Sequence, residues 1–143
     1  MGGARRLVVL PALLAALALA GCGGGGKGKA KATSVGVPVA QSGPNGRTAA
    51  RVAQAYIRAD GSGKGARTCK LVAASVRDRF AHARGGCARA LTHPPVDVAA
   101  QQVNTVQLNG SSAVVNVVVA GGPTRTITLL KEGGAWRVSN GGT

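Results

Sequence analysis

The amino-acid sequence predicts an α+β fold, in which N-terminal helices pack on a curved antiparallel sheet of about four strands. Two observations support this prediction. Apolar residues recur at helical spacing over residues 49–91, and their period changes to two after Pro95. Gly-rich turns separate the later segments, which is typical of strands joined by hairpins. Helices and strands that are segregated along a chain in this way indicate an α+β domain.

The first predicted helix begins near Thr48, because threonine is favoured at the N-cap position of a helix. The helix ends at residues 60–63, where glycine and serine interrupt the helical pattern. Its apolar stripe consists of Ala49, Val52, Ala53, Tyr56 and Ile57.

Three shorter helical segments follow, over residues 64–74, 75–83 and 87–91. Glycines separate the last two of them. The prolines that come directly after His93 end the helical part, because proline cannot continue a helix.

Four strands are predicted over residues 96–108, 112–120, 124–131 and 135–139. Asn109-Gly110 joins the first two, and this dipeptide is a strong hairpin signal because both turn positions need a positive φ. The side chains predicted to face the core are Val106, Leu108, Ala113, Val115, Val117, Val119, Ile127, Leu129, Trp136 and Val138.

Residues 1–21 have the pattern of a bacterial lipoprotein signal peptide. A positive start precedes an apolar segment that is shorter than the roughly 20 residues of a membrane-spanning helix. The segment ends in Leu19-Ala20-Gly21-Cys22, which resembles the bacterial lipobox at all four positions. The resemblance implies lipid attachment to Cys22 and cleavage before it, so we expect a lipid anchor at the extracytoplasmic side of the cell membrane. The alternative is an ordinary secretory signal followed by an unmodified cysteine.

Residues 22–47 lack hydrophobic periodicity and are predicted to tether the domain to the lipid. The segment is rich in glycine, and Gly-rich chains behave as flexible coils. Lys27, Lys29 and Lys31 lie close in sequence to the expected lipid. Each lysine near an anionic bilayer adds about 1 kcal/mol of attraction.

The formal net charge of +14 favours anionic partners. Nucleic acid is not expected, because export removes the chain from the cytoplasm and the three aromatic residues offer almost nothing for bases to stack on. Phospholipid headgroups and phosphate-bearing wall polymers are the abundant polyanions outside the cytoplasm. The other interpretation is that the many arginines only reflect the composition of a GC-rich genome.

Four segments between residues 50 and 138 carry a family resemblance. They are residues 56–61, 66–71, 87–91 and 129–138, the last with an acidic-Gly turn followed by Trp136. In these segments the chain resembles small nuclear-transport-factor-2-like (NTF2-like) domains, which have a cystatin-like cone fold and occur on actinobacterial lipoproteins. The resemblance implies that residues 48–143 form a sheet wrapped around helices, with a cavity at its wide end. The family includes dehydratases, isomerases and non-catalytic binding modules, so the fold alone does not select an activity.

Cys69 and Cys87 are the cysteines that remain once Cys22 carries lipid. An even pair in a small exported domain predicts one disulfide bond, worth about 3 kcal/mol for a loop of roughly 18 residues. A redox pair is the alternative, but the CxxC spacing is absent. A zinc site that adds His82 and His93 lacks the closely spaced ligands of structural zinc sites. We expect no metal and no other cofactor.

The titratable side chains of the domain form no recognisable catalytic set. Acid–base catalysis needs paired titratable groups in a dry pocket. The positions of the titratable groups in predicted turns, caps and surface ion pairs suit structural roles better than catalysis. The protein is therefore not expected to be an enzyme. The alternative is an isomerase- or dehydratase-type enzyme with an acid or base in its cavity. The groups considered are Tyr56, Asp60, Asp78, His82, His93, Asp97 and Glu132.

Tyr56, Phe80 and Trp136 are predicted either to line a cavity or to fill the core. The leading hypothesis for function is a non-catalytic, membrane-anchored envelope lipoprotein. Its domain binds an anionic envelope polymer, a small molecule or another envelope protein, and the basic charge favours the first of these. A structural interaction module is a further alternative, and its marker is an exposed apolar patch on the sheet.

Overall fold

A computed structural model describes residues 36–142 of the protein and shows an α+β structure with a five-stranded antiparallel sheet. The helices are α1 (Gly43–Gly61), α2 (Gly65–Leu71), α3 (Ala74–Arg79) and α4 (Gly86–Ala90). The strands are β1 (Val37–Pro38), β2 (Gln101–Asn109), β3 (Ser112–Val119), β4 (Arg125–Glu132) and β5 (Ala135–Asn140). The predicted order of helices before the main strands is confirmed. The expected signal peptide and the lipidation site Cys22 lie outside the described residues.

The sheet is open, with its strands in the order β1-β2-β3-β4-β5 and every neighbouring pair antiparallel. The register places Val106, Val115 and Ile127 opposite one another on three successive strands. Leu129 on β4 lies opposite Val138 on β5. All five side chains are buried. The period of two in the sequence therefore marks the face on which the helices pack.

The short strand β1 makes the sheet larger than the predicted sheet of about four strands. Val37 pairs with Val106, and Pro38 pairs with Thr105. Pro38 has no N–H to donate, and an edge strand tolerates this. Two residues are too few to show a period of two, so the composition assigns them to the tether. The sheet thus includes residues that precede the predicted domain start at Thr48.

Helix α1 begins at Gly43, so the prediction that Thr48 is its N-cap is wrong. Pro44 lies in the first turn, where its fixed φ and missing N–H are favourable. The Thr48 hydroxyl donates to the Pro44 carbonyl at 2.9 Å inside the helix. Gly46 is buried, and a Cβ there would overlap the Ser42 side chain. Residues 42–46 are Ser, Gly, Pro and Asn, which are typical of turns and linkers, although here they start a helix.

The core lies between one face of the sheet and the inner side of α1. Ala49, Ala53 and Ile57 recur at helical spacing and are buried there. Alanine side chains let the helix approach the sheet closely, and branched side chains of the strands fill the interface. Leu108, predicted to face the core, is instead exposed next to the β2–β3 turn. The buried cluster consists of Ala49, Ala50, Ala53, Ile57, Val72, Ala73, Val76, Cys87, Val106, Ala113, Val115, Val117, Ile127, Leu129, Trp136 and Val138.

The chain runs beside the sheet between α2 and α3. Val72 is extended and forms a parallel bridge with Val138 of β5. The Ala73 N–H donates to the Val138 carbonyl at 2.8 Å. This contact ends the second helix at Leu71, three residues before its predicted end.

The start of α3 is capped from a distant part of the chain. The Ala74 N–H donates to both carboxylate oxygens of Glu132, at 3.1 and 3.0 Å. A carboxylate at a helix N-terminus satisfies an N–H that has no partner within the helix and opposes the helix dipole. Glu132 therefore fixes the β4–β5 turn to α3, a capping role that the sequence predicts without showing which helix is capped.

Cys69 of α2 and Cys87 of α4 lie at disulfide distance, with their Cα atoms 5.8 Å apart. This is the pair that the sequence predicts. The two helices also touch through their backbones, because a Cβ on Gly65 would overlap the Ala88 carbonyl. Helix α2 therefore packs closely against α4, with its cysteine at disulfide distance from that of α4.

Candidate functional site

A cavity of about 270 Å³ lies between α1, α3 and the end of β5. Tyr56 and Phe80, two of the aromatic residues predicted to line a cavity, both line this one. Trp136 does not line it, because its side chain belongs to the core and is only 3% exposed. The apolar part of the cavity wall consists of Val72, Val76, Phe80, Leu91 and Val138.

Tyr56 and Arg79 are the titratable side chains of the cavity lining. Burial raises the pKa of the Tyr56 phenol, Asp60 raises it further, and Arg125 opposes the shift. The phenol is therefore protonated at neutral pH and acts as a hydrogen-bond donor. Neither a carboxylate nor an imidazole lines this cavity. Its described lining thus supplies donors but no general base.

Asp60 and His93 contact each other away from the cavity. The His93 Nε2 lies 3.4 Å from the Asp60 carboxylate, and its Nδ1 lies 2.7 Å from the Pro94 carbonyl. The Pro94 hydrogen bond, followed by that to Asp60, raises the pKa of His93. Both partners are acceptors, so only the imidazolium form donates to each of them. The pair therefore links the end of α1 to the loop before β2.

The remaining acidic groups and histidine have positions that suit structure rather than catalysis. The Asp97 carboxylate accepts from the Ala99 N–H at 2.8 Å in a local turn. Asp78 and His82 are exposed on the surface. Within residues 36–142 no cluster of three or more His, Cys, Asp or Glu residues is arranged to hold a metal ion. The zinc set considered from the sequence is not assembled, since Cys69 and Cys87 are at disulfide distance from each other.

The outer face of the sheet carries a polar ladder across three strands. The Asn116 amide donates to the Thr105 hydroxyl at 3.0 Å, and the Thr126 hydroxyl donates to the Asn116 carbonyl oxygen at 3.3 Å. The side chains thus bond to one another across the strands. Exposed apolar side chains on the strands include Leu108 and Val118.

The helical layer, defined as α1–α4 with the turns between them, carries most of the basic side chains. Their acidic counterparts in this layer are Asp60, which contacts His93, and Asp78. Arg47, Arg51 and Arg58 are exposed and spaced along one side of α1. The basic residues of the layer are Arg47, Arg51, Arg58, Lys64, Arg67, Lys70, Arg77, Arg79, Arg84 and Arg89.

Three of these cations surround one groove between α1 and α2, called the α1–α2 groove. Its volume is about 430 Å³. Arg58 comes from α1, and Arg67 and Lys70 come from α2. Its apolar part consists of Ala55, Ala59 and Leu71. The arrangement suits a ligand that has a negative charge next to an apolar part.

Comparison of the chain with protein-family models, with curated proteins and with solved structures finds no match. The NTF2-like resemblance thus depends on the sequence segments that suggested it. Among residues 36–142 no helix combines the length and apolar character needed to cross a bilayer.

Sequence reasoning missed the α1–α2 groove. The net charge of +14 indicates an anionic partner but not where it binds. Arg67 and Lys70 are three positions apart on a predicted helix, which places them on one side of it. That spacing was the available signal. The pairing with Arg58 depends on how α1 packs against α2, and the sequence does not reveal this packing.

Proposed function

We propose that the protein is a membrane-anchored envelope lipoprotein whose domain is a non-catalytic binding module for anionic envelope partners. The observation that carries this proposal is the set of exposed cations in the helical layer. The side chains of Arg58, Arg67 and Lys70 make no hydrogen bond or ion pair with any of residues 36–142. Exposed cations without acidic neighbours create a positive potential that attracts polyanions over about a Debye length, roughly 8 Å at physiological salt.

The lipid anchor in this proposal comes from the lipobox resemblance at residues 19–22. A lipid at Cys22 would keep the domain close to the bilayer and to wall polymers. One acyl chain binds a membrane only marginally, whereas two chains bind it stably. An anchored protein would therefore meet its anionic partners at high local concentration.

An NTF2-like cone is the fold we propose for the domain. Helices that precede an antiparallel sheet and cover one of its faces support this assignment. A cavity lined by Tyr56 and Phe80 also supports it. The cavity lining lacks a general base, and this favours a binding module over an isomerase- or dehydratase-type enzyme.

The test begins with the whole protein purified from membranes. Its intact mass is expected to correspond to residues 22–143 plus lipid. Binding to vesicles of phosphatidylglycerol and to phosphate-bearing wall polymer is then measured across a salt series, with phosphatidylcholine vesicles as the neutral control. Binding that weakens as salt rises supports the proposal. An unlipidated mass contradicts the anchor, and binding that is indifferent to both salt and lipid charge contradicts the electrostatic mechanism.

A further inference from the structure

We propose that the α1–α2 groove is a binding site for the phosphodiester headgroup of an anionic phospholipid, which would dock the helical layer on the bilayer surface. This inference rests on the proposed function, because it specifies which anionic partner the domain contacts and through which residues.

The cationic side chains of the groove have no hydrogen-bond or ion-pair partner among residues 36–142. Arg58, Arg67 and Lys70 are all exposed. Asp60, the acidic residue at the end of α1, contacts His93. Three cations around one opening can bind a phosphodiester through charge-assisted hydrogen bonds. These cationic side chains are therefore available to an anion from outside the domain.

The apolar part of the groove distinguishes between two sources of phosphodiester. Ala55, Ala59 and Leu71 form a patch beside the cations. A phospholipid carries glycerol carbons and the first acyl methylenes next to its phosphate, and these can contact such a patch. A wall polymer of repeating polyol phosphates is hydrophilic on both sides of each phosphate. The patch therefore favours the phospholipid.

The position of α2 is fixed before any ligand binds. Thr68 is fully buried, while Arg67 and Lys70 on either side of Thr68–Cys69 are exposed. Cys69 is linked to Cys87 of α4. Because the backbone of α2 cannot shift freely, binding costs less ordering entropy than binding to a mobile loop.

The experiment is native mass spectrometry of the whole protein, purified from membranes in a neutral detergent and incubated with phosphatidylglycerol or phosphatidylcholine. The wild type is expected to retain phosphatidylglycerol at least roughly tenfold more than phosphatidylcholine, since each cation near an anionic lipid adds attraction. The variant Arg58→Gln/Arg67→Gln/Lys70→Gln is expected to lose this preference.

The matched control is Lys64→Gln/Arg84→Gln/Arg89→Gln. It removes the same residue types and the same charge from exposed positions of the helical layer that do not line the groove. This control is expected to keep phosphatidylglycerol retention within about twofold of wild type, because the nearest cations dominate a contact. Thermal unfolding checks that both variants are folded. If the triple groove variant unfolds early, the single variant Lys70→Gln replaces it, with Lys64→Gln as control.

Three outcomes overturn the inference. They are equal loss of retention in both triple variants, absence of any lipid preference in the wild type, and displacement of phosphatidylglycerol by a soluble glycerol-phosphate oligomer at similar concentration. The same spectra report the mass at Cys22. An unlipidated protein that still retains phosphatidylglycerol through the groove supports the site and contradicts only the proposed anchor.

Discussion

The α1–α2 groove and strand β4 use their basic side chains in different ways. On β4, the Arg125 guanidinium donates to the Gln101 side chain and to the carbonyls of Gly141 and Gly142. The Lys131 ammonium, on the same strand, lies 5.7 Å from the centre of the Trp136 ring. The groove cations of α1 and α2 make no such contacts within residues 36–142. The net charge therefore includes two populations of cations, and the cations of the groove are available to a partner.

A purely compositional origin of the arginines predicts no such division between partnered and unpartnered cations. Helix propensity explains part of the segregation, since arginine is a good helix former and strands favour Val and Thr. Propensity does not explain why three cations meet around one apolar groove. Substitutions can separate the side chains that stabilise the fold from the side chains that are available for binding.

The largest expected effect is on the core of the sheet. Leu129→Ala removes a fully buried side chain and is expected to lower the free energy of unfolding by about 2–5 kcal/mol. Arg58→Gln, at an exposed position, is expected to change it by less than about 0.5 kcal/mol. Urea unfolding of both variants measures the difference. A comparable loss in Arg58→Gln would mean that the helical cations are structural after all.

The second effect concerns the link between α2 and α4. Cys69→Ala/Cys87→Ala is expected to cost about 3 kcal/mol of stability, because the unfolded chain gains freedom. Phosphatidylglycerol retention is also expected to fall, since Arg67 and Lys70 lie on the helix that the link positions. Differential scanning calorimetry with and without reductant gives the first quantity. A melting temperature that is unchanged on reduction would refute the structural role of this pair.

The third effect tests the cap that joins the two layers. Glu132→Ala leaves the Ala74 N–H without its carboxylate partner and is expected to cost about 1 kcal/mol. Asp78→Ala is the control, because it removes an exposed carboxylate of the helical layer. Chemical unfolding of the two variants should differ in midpoint. Identical midpoints would show that the Glu132 contact contributes nothing to stability.

The smallest effect is a dependence of stability on pH. The pKa of His93 is raised in the folded protein by its bonds to Pro94 and Asp60. Its contribution is therefore fully present below the unfolded pKa of about 6.5 and is lost as pH rises through the folded pKa. Thermal unfolding between about pH 5.5 and 8 should show a decline that His93→Asn flattens. His82→Asn, at an exposed position, should leave the decline intact, and an unchanged slope in His93→Asn would contradict the assignment.

Much of the sheet and the cysteine pair could be predicted because their signals are local. The hairpin at Asn109-Gly110 and the period of two give β3, β4 and β5 within one or two residues. Once Cys22 is assigned to the lipid, Cys69 and Cys87 are the two cysteines that remain, and the structure places them at disulfide distance. Strand β2 begins at Gln101 rather than Val96, because the Val96 N–H donates to the Gly61 carbonyl at the end of α1. That hydrogen bond joins the loop before β2 to the end of α1, and no local sequence pattern predicts it.

The candidate sites were predictable only in part, for the same reason. Tyr56 and Phe80 could be selected as rare large side chains, and both line one cavity. Trp136 is an equally rare large side chain, but its position on the inner face of β5 buries it in the core. The α1–α2 groove required the packing of two helices, which depends on long-range contacts rather than on composition.

The two edge strands of the sheet, β1 and β5, affect how readily the protein aggregates at high local concentration. An exposed edge strand presents unpaired N–H and C=O groups. A second chain can add a strand there and start aggregation. At the β1 edge Pro38 has no N–H to donate to a second chain. At the β5 edge the Val72 bridge already occupies Val138, whose carbonyl accepts from the Ala73 N–H. Molecules crowded side by side on a surface would thus remain separate, and their basic helical layers would add mutual repulsion.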